Sequence, residues 1–403
     1  MKRFLALAVA LGLVVAPVAP VRASQANAAL RVALQRDLDQ YLATRSKIEH
    51  LSAITLSVSL HGAAQNINLV TGRTEYGGGV PITSGSVWQI GSNTKAFTAA
   101  TILQLEAEGK LTIDQTVGRW LPQYPAWKYV TIRRLLSMTS GIPTYDDTTA
   151  MLSDYAKNPK RNFTIPELIA YVYPSNPKAP KATSGYSYSN TNYLLAELII
   201  ERASHDGYGN ELDRRYLRSG LGLSDTYYAA TQYPQEVLAR IPAAYFVNHD
   251  PGNEPLSPLL GRNVRDDSVS WMQGAGGVAS TAEDLTRWAR ALYTGPMLPP
   301  KQRAELLSLT STKTGKPIAT TSLADPRGFG LGVAQMTLPD LGTIWFYEGE
   351  SLGFRMVQFY LPHQDVVVAF GFNSRPDGSL DQAGKLATAI YHTLIVSSPL
   401  ITK

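Results

Sequence analysis

Between residues 54 and 60 apolar and hydroxyl side chains alternate, with Ile54, Leu56, Val58 and Leu60 separated by Thr55, Ser57 and Ser59. A period of two puts the apolar set on one side of an extended chain, so the segment predicts a strand with one buried face. Residues 67–70 follow after His61-Gly62-Ala63-Ala64, a turn-like connection that makes the pair a hairpin. Residues 28–41 ahead of them have helical character. From 92 to 108 the period changes: Ala96, Ala100, Leu103 and Ala107 share one helix face, and Gly109 is placed to end the helix.

The stretch from about 110 to 255 is rich in Pro and Tyr and carries short helical pieces such as 191–203, and it reads as an inserted, mainly helical region. Thr281 opens a further helix, with Asp284 three residues on and Leu285, Trp288, Ala289 and Leu292 as its apolar stripe. Strands are then predicted at 328–336, 343–347, 354–361 and 366–372, joined by six, six and four residues. Connections so short require antiparallel pairing, because a parallel pair needs a crossover of about a dozen residues. Leu380, Ala383, Ala387, Ile390 and Leu394 form one face of a closing helix. With no internal repeat and no dividing linker, the expected fold is α/β in the α+β sense. An antiparallel sheet is flanked by helices, amino-terminal and carboxyl-terminal strands share it, and the helical region is inserted beside it.

Composition narrows the chemistry. Of 403 residues 44% are hydrophobic and 17% charged, which excludes a disordered scaffold, and the absence of cysteine excludes disulfides, thiolate metal sites and thiol nucleophiles. Lys2 and Arg3 precede an apolar run over 4–16, and Val21-Arg22-Ala23 suits signal peptidase. The expectation is a signal peptide over 1–23 and a hydrolase domain over 24–403, with Ala28 a second possible cleavage site. Thirteen apolar residues fall short of the ~20 of a spanning helix, so no stable membrane insertion is expected after cleavage, and the protein should be exported, periplasmic or secreted. Without Lys2, Arg3 and Arg22 the chain has 34 basic against 32 acidic residues, a balance that gives nucleic acid no purchase. The six histidines are scattered, and Gly77-Gly78-Gly79 runs into Val80-Pro81 rather than a helix, so no metal, nucleotide or other cofactor is expected.

Ser92-Asn93-Thr94-Lys95 is the first candidate site. Spaced by three on a helix, Ser92 and Lys95 share a face, and a neutral lysine could take the serine proton. Ser175-Asn176-Pro177-Lys178 has the same letters, but its proline and its neighbours Pro174 and Pro180 place it in an extended loop. Tyr188-Ser189-Asn190, just ahead of a helix, offers a phenol that can relay a proton and an amide that can orient a lysine or a carbonyl. Tyr208-Gly209-Asn210 repeats that pattern in a Gly-rich loop. A rival lies at Gly349-Glu350-Ser351-Leu352-Gly353, where a nucleophile elbow on Ser351 would need Asp365 or Asp381 with His392, and would need a helix after the turn.

Taken in order, Ser92-x-x-Lys95, the segment Leu135-Leu136-Ser137-Met138-Thr139-Ser140-Gly141-Ile142-Pro143, then Tyr188-Ser189-Asn190 and Gly276-Gly277-Val278-Ala279-Ser280-Thr281 make a series. It resembles the serine β-lactamase and penicillin-binding protein superfamily, in its class C β-lactamase, D,D-carboxypeptidase and esterase branch, over roughly residues 30–395. The resemblance implies a β-lactamase or transpeptidase-like fold. It also implies Ser92 as the acylated nucleophile, Lys95 and Tyr188 sharing the proton work, and Asn190 holding a substrate amide or the lysine. The oxyanion would be bound by the N–H of Ser92 and that of the residue after a third motif, usually Lys-Thr-Gly or His-Thr-Gly on a strand. Lys313-Thr314-Gly315 has those letters but no strand pattern, whereas Tyr347-Glu348-Gly349 follows Thr343-Ile344-Trp345-Phe346, so the second is preferred and Glu350 becomes the donor. Replacing a cation by Tyr347 and adding Glu348 disfavours a substrate carboxylate. The expectation is an exported hydrolase of small esters, amides or peptides with weak β-lactamase or D,D-carboxypeptidase activity. A penicillin-binding acceptor or sensor without efficient turnover is the alternative.

Overall fold

The computed structural model describes residues 19–397, so the apolar run 4–16 lies outside it. Among the described residues no helix is long and apolar enough to cross a membrane. A helix over Ala19–Glu49 precedes β1 (Ala53–Ser59), β2 (Ile67–Glu75), β3 (Gly78–Pro81) and the short β4 (Trp88–Gln89). The nucleophile segment follows as a 3-10 turn, Gly91–Asn93, running into the helix Thr94–Ala107. The mainly helical region contains the helix Thr191–Ser204 and two short strands, β5 (Thr226–Tyr228) and β6 (Tyr245–Phe246). Beyond it come β7 (Val278–Ser280), the helix Ala282–Tyr293, β8 (Leu309–Ser311), β9 (Pro317–Ile318), β10 (Arg327–Phe329), β11 (Ala334–Leu338), β12 (Gly342–Glu350), β13 (Arg355–Leu361), β14 (Val366–Phe372), β15 (Ser374–Arg375) and the helix Ala383–Ser397.

Ten strands form one sheet in the order β3-β2-β1-β14-β13-β12-β11-β10-β8-β9, so the first and last long strands do pair, with Leu56 opposite both Leu69 and Phe370. The alternation in β1 sends Ile54, Leu56 and Val58 into a core with Leu34 and Leu38 of the first helix and Ile390 and Leu394 of the last. The other face, expected to meet solvent, is buried as well. Ser57 and Thr286 hydroxyls lie 3.1 Å apart and Asn66 donates to both, so polar side chains there bond one another beneath the helix Ala282–Tyr293. Both faces of the sheet are therefore covered by helices.

Two expected elements change. The strand predicted at 328–336 is a hairpin of β10 and β11, broken at Gly330 and Gly332. At Gly332, where φ is +74°, a Cβ would lie 2.6 Å from the carbonyl oxygen of Lys95, so the turn packs directly on the nucleophile helix. That helix is buried almost all round rather than on one face, with Phe97 stacked on Trp288 at 3.7 Å, because it runs between the sheet and the helical region. The helical region shares its core with the sheet: one apolar cluster runs from Leu103 through Leu194 to Phe354 and Val367.

Candidate active site

Ser92 sits in the 3-10 turn and Lys95 in the first turn of the helix that continues it, so the spacing of three is realised on one helical path. Lys95 is fully buried, and its Nζ donates to Ser92 Oγ at 2.9 Å and to the carbonyl of Ala275 at 2.8 Å. The phenol of Tyr188 donates to the same Ser92 Oγ at 2.7 Å. Lys95 Nζ also lies 5.0 Å from the Tyr188 ring centroid and 5.5 Å from that of Tyr193.

The other sequence segments are the scaffold of this triplet. Residues 135–145 cradle the Tyr188 loop: Ser187 N–H donates to Met138 C=O at 2.9 Å, Asn190 N–H to Thr144 Oγ1 at 2.9 Å, Ser140 Oγ to Asn192 Oδ1 at 2.7 Å and Tyr193 OH to Leu136 C=O at 2.9 Å. β7 supports the nucleophile turn, with Ile90 N–H donating to Val278 C=O and Val278 N–H to Thr94 Oγ1, each at 3.1 Å. These bonds explain why motifs so far apart in the chain occur together.

The end of β12 meets Ser92 backbone to backbone. A Cβ on Gly349 would lie 1.9 Å from Ile90 O, and one on Gly91, where φ is +49°, would lie 2.3 Å from Glu350 O. Only glycine fits at either position. β11 pairs with β12 no further than Phe346, so Tyr347–Glu350 has one open edge. Ser351 N–H bonds to Phe354 C=O, which sets the parity against β13: backbone groups of Tyr347 and Gly349 turn to β13, and those of Glu348 and Glu350 turn to the open edge. The Glu350 N–H thus stands beside the Ser92 turn. Lys313-Thr314-Gly315 is instead the tip of the β8–β9 hairpin, with Lys313 exposed and Gly315 against Gly185.

Tyr347 is buried and turns to the catalytic side, its OH 3.5 Å from that of Tyr188. Burial holds its phenol well above the ordinary range, with Tyr188 and Tyr193 adding to the effect. Glu348 and Glu350 point to the other face, yet both line the cavity at the strand edge. Burial, then the Glu350 and Asp381 carboxylates, push Glu348 up to about 7, and its Oε1 is buried without a partner. Glu350 accepts from Arg375 Nε at 2.7 Å.

Of the two roles expected for Asn190, the one at the lysine is not seen: its Nδ2 donates to Asp146 Oδ2 at 2.6 Å and not to Lys95, while its Oδ1 is buried without a partner. Ala275 C=O takes the place at the lysine. Sequence reasoning passed over Asp146, Asp147 and Arg375, all of which line the cavity; the adjacent acids just after Pro143 were the available signal. Arg355, close to the end of β12, is fully buried and engaged by Glu49 Oε2 at 2.7 Å, Ser374 C=O at 2.8 Å and Asp381, so it is not free to meet a substrate.

The cavity measures about 820 Å³. Leu152, Leu256, Trp271, Met272 and Leu352 give it apolar lining, and Arg327, Phe329, Met336 and Phe346 line it too. The elbow on Ser351 does not form: the chain runs from β12 through a tight turn into β13, with no helix behind the serine. Asp381 pairs with Arg355, Asp365 with His61 and Arg290, and His392 is exposed on the last helix. Ser175 and Lys178 are both exposed in a loop, and Tyr208 begins a short helix rather than lying in a loop. Among the described residues the one group of three or more potential metal ligands in reach of one another is Glu348, Glu350 and Asp381, of which the last two are paired with arginines.

A serine hydroxyl held between an amine and a phenol, beside a strand with a free edge, is an arrangement that can carry out acyl transfer, and it stands in a fold of helices on an antiparallel sheet. The chain belongs to the Beta-lactamase family, which matches it over residues 39–392 and whose members include serine hydrolases. Penicillin-binding protein 4* of Bacillus subtilis (strain 168) is similar to it, 26% identical over 309 residues, 75% of this chain and 64% of that relative's length. Among solved structures, D-amino acid amidase from Ochrobactrum anthropi SV3 complexed with L-phenylalanine amide superposes with a TM-score of 0.74 at 22% identity, covering 91% of this chain and 99% of that one. D-stereospecific amidohydrolase from Streptomyces sp. follows with a TM-score of 0.73 at 22% identity, covering 90% and 98%.

Proposed function

We propose that the protein is an exported serine hydrolase that cleaves small esters or amides through an acyl-enzyme on Ser92. The observation that carries this reading is the position of Ser92 Oγ, 2.9 Å from Lys95 Nζ and 2.7 Å from Tyr188 OH. In the reactive state Lys95 is neutral and takes the Ser92 proton as Oγ bonds to the acyl carbon. The oxyanion then accepts from the N–H groups of Ser92 and Glu350. As the tetrahedral species collapses, the bond to the leaving oxygen or nitrogen breaks and that atom takes a proton through Tyr188. A water molecule, deprotonated by the same pair, next attacks the ester and releases the acid.

The substrate is an uncharged or amino-bearing acyl donor. Asp146, Asp147, Glu348 and Glu350 line the cavity, against Arg375, which Glu350 already occupies, and Arg327. Such a wall repels a terminal carboxylate and attracts an ammonium group, and the unpartnered Asn190 Oδ1 can accept from a substrate amide. The amidases among the structural neighbours are consistent with that class. Export rests on Lys2, Arg3 and the apolar run behind them, and sequencing the amino terminus of protein recovered outside the cytoplasm should read from Ser24.

Intact-mass measurement after treatment with a fluorophosphonate decides the central assignment. Wild type should gain one adduct and Ser92→Ala none; equal labelling of the two removes Ser92 from the mechanism.

A further inference from the structure

Lys95 is oriented from below by a turn with unusual geometry. The short helix Gln273–Gly276 begins on Gln273 at φ +37°, a strained left-handed conformation that a residue with a side chain keeps only when its surroundings enforce it. Three side chains do so. Gln273 Nε2 donates to Ser270 C=O at 2.8 Å and to Phe163 C=O at 3.2 Å. Thr98 Oγ1, one turn along the nucleophile helix from Thr94, donates to Gly274 C=O at 2.7 Å. Glu197, from the helix that follows Tyr188-Ser189-Asn190, accepts the Gly274 N–H on Oε2 at 2.6 Å. The product of this turn is the Ala275 carbonyl, which accepts from Lys95 Nζ.

We propose that Glu197 is a positioning residue of the acylation site: its carboxyl group holds the Gln273–Gly276 turn so that Ala275 C=O takes one N–H of Lys95 and the amine is aimed at Ser92. The inference rests on reading Ser92 as the nucleophile. Glu197 is 3% exposed and has no basic partner; its other oxygen bonds to Tyr228 OH at 3.0 Å. A buried carboxyl group with no cation is costly as a pure packing element, and burial raises it to about 8, so it is a neutral acid at pH 7. Oε2 accepts from Gly274 N–H and Oε1 accepts from Tyr228 OH. A glutamine keeps the bond from Gly274 N–H through its amide oxygen and can donate its amide N–H to the Tyr228 oxygen, whereas leucine can do neither. Gly274 leaves no alternative filling, since a Cβ there would lie 2.7 Å from Glu197 Oε2 and 3.3 Å from Tyr193 O.

The test compares wild type, Glu197→Gln and Glu197→Leu in p-nitrophenyl ester hydrolysis and in the rate of fluorophosphonate labelling. Glu197→Gln should keep kcat within about twofold, and Glu197→Leu should lose ~10-fold or more in kcat and in labelling rate with KM little changed, as expected when a reacting group is misplaced and ground-state binding is not. Ser92 and the Tyr188 and Tyr193 rings, which also face the lysine, are unchanged in every variant. If Glu197→Leu keeps its kcat and labelling rate and only melts lower, or if Gln and Leu lose activity equally, the proposal is overturned. Should Glu197→Leu not fold, Thr98→Val removes the other side-chain bond to Gly274: a fall in kcat and labelling rate with KM little changed supports the proposal, and an unchanged kcat overturns it. No labelling of Ser92 in wild type would instead defeat the nucleophile assignment itself.

Discussion

On the helical wall of the cleft every reacting atom has a partner in the free protein: Lys95 bonds to Ser92 and Ala275, and Tyr188 bonds to Ser92. On the strand wall Glu348 keeps a carboxylate oxygen with no partner, and Asn190 across the cavity keeps its carbonyl oxygen free. A buried polar atom left unpaired costs ~1–3 kcal/mol, so Glu348 and Asn190 each carry a deficit that a substrate can remove, whereas Lys95 Nζ and the Tyr188 phenol carry none. The chemistry is organised in advance and the selectivity is completed by the ligand.

The sharpest way to break this contrast is on the helical wall. Lys95→Ala and Tyr188→Phe should each lower the acylation rate by ~10²-fold or more while the protein stays folded, because both act on proton transfer. Stopped-flow or intact-mass kinetics check this, and near wild-type acylation in Tyr188→Phe would reassign the relay. Where the walls meet, Gly349→Ala forces a methyl group against Ile90 O, from which it would be 1.9 Å away, so β12 and the Ser92 turn must separate. Overpacking of this kind costs ~1–3 kcal/mol. Thermal unfolding should report a lower midpoint, and labelling of Ser92 should slow as the Glu350 N–H moves away.

The smallest effect is expected on the strand wall and is a change of selectivity. Wild type should prefer a methyl ester or amide to the same compound with a free terminal carboxylate, and Glu348→Gln should narrow that preference by about one power of ten, since a charge-assisted contact is worth ~1.5–3 kcal/mol. The sign with pH follows from the raised acid. Below about 7 Glu348 is protonated and repels nothing, and above it the carboxylate forms, so the preference should grow between pH 6 and pH 8 in wild type and grow less in Glu348→Gln, where only Asp147, pushed up to about 6 by burial, still titrates at the low end. A wild-type preference for the carboxylate form would contradict the charge argument.

What could be read in advance follows the same division. Ser92 and Lys95 were legible because a spacing of three is a local property of a helix, and the strand at Tyr347 was legible because its neighbours alternate, which Lys313-Thr314-Gly315 does not share. The break in β10–β11 stood in the letters as Gly330 and Gly332, but an apolar run across them, with Leu331 and Val333, reads as one strand. The role of Glu197 could not be read, since its partner Gly274 is 77 residues away and a glutamate in a helix signals a solvated face. The buried Arg355 was equally opaque, because Glu49, 306 residues earlier, must fold onto it before the charge is neutralised. Covering both faces of β1 also escaped prediction, since Thr55, Ser57 and Ser59 are small enough to be buried once Thr286 and Arg290 of another helix bond Ser57 and Ser59.

The pairing of β1 with β14 imposes an order of events on folding. Ser52 and Asn373, hydrogen-bonded at 2.6 Å, are 321 residues apart in the chain. As the polypeptide leaves the ribosome, the β1–β2–β3 meander must wait, with the hydrogen-bonding groups of β1 open along one side, until nearly everything else has been synthesised. Closing so long a loop is slow, and an unpaired strand invites association with other chains in the meantime. The strand that meets the Ser92 turn, β12, is itself among the last parts made, so a half-made chain lacks one wall of the cleft.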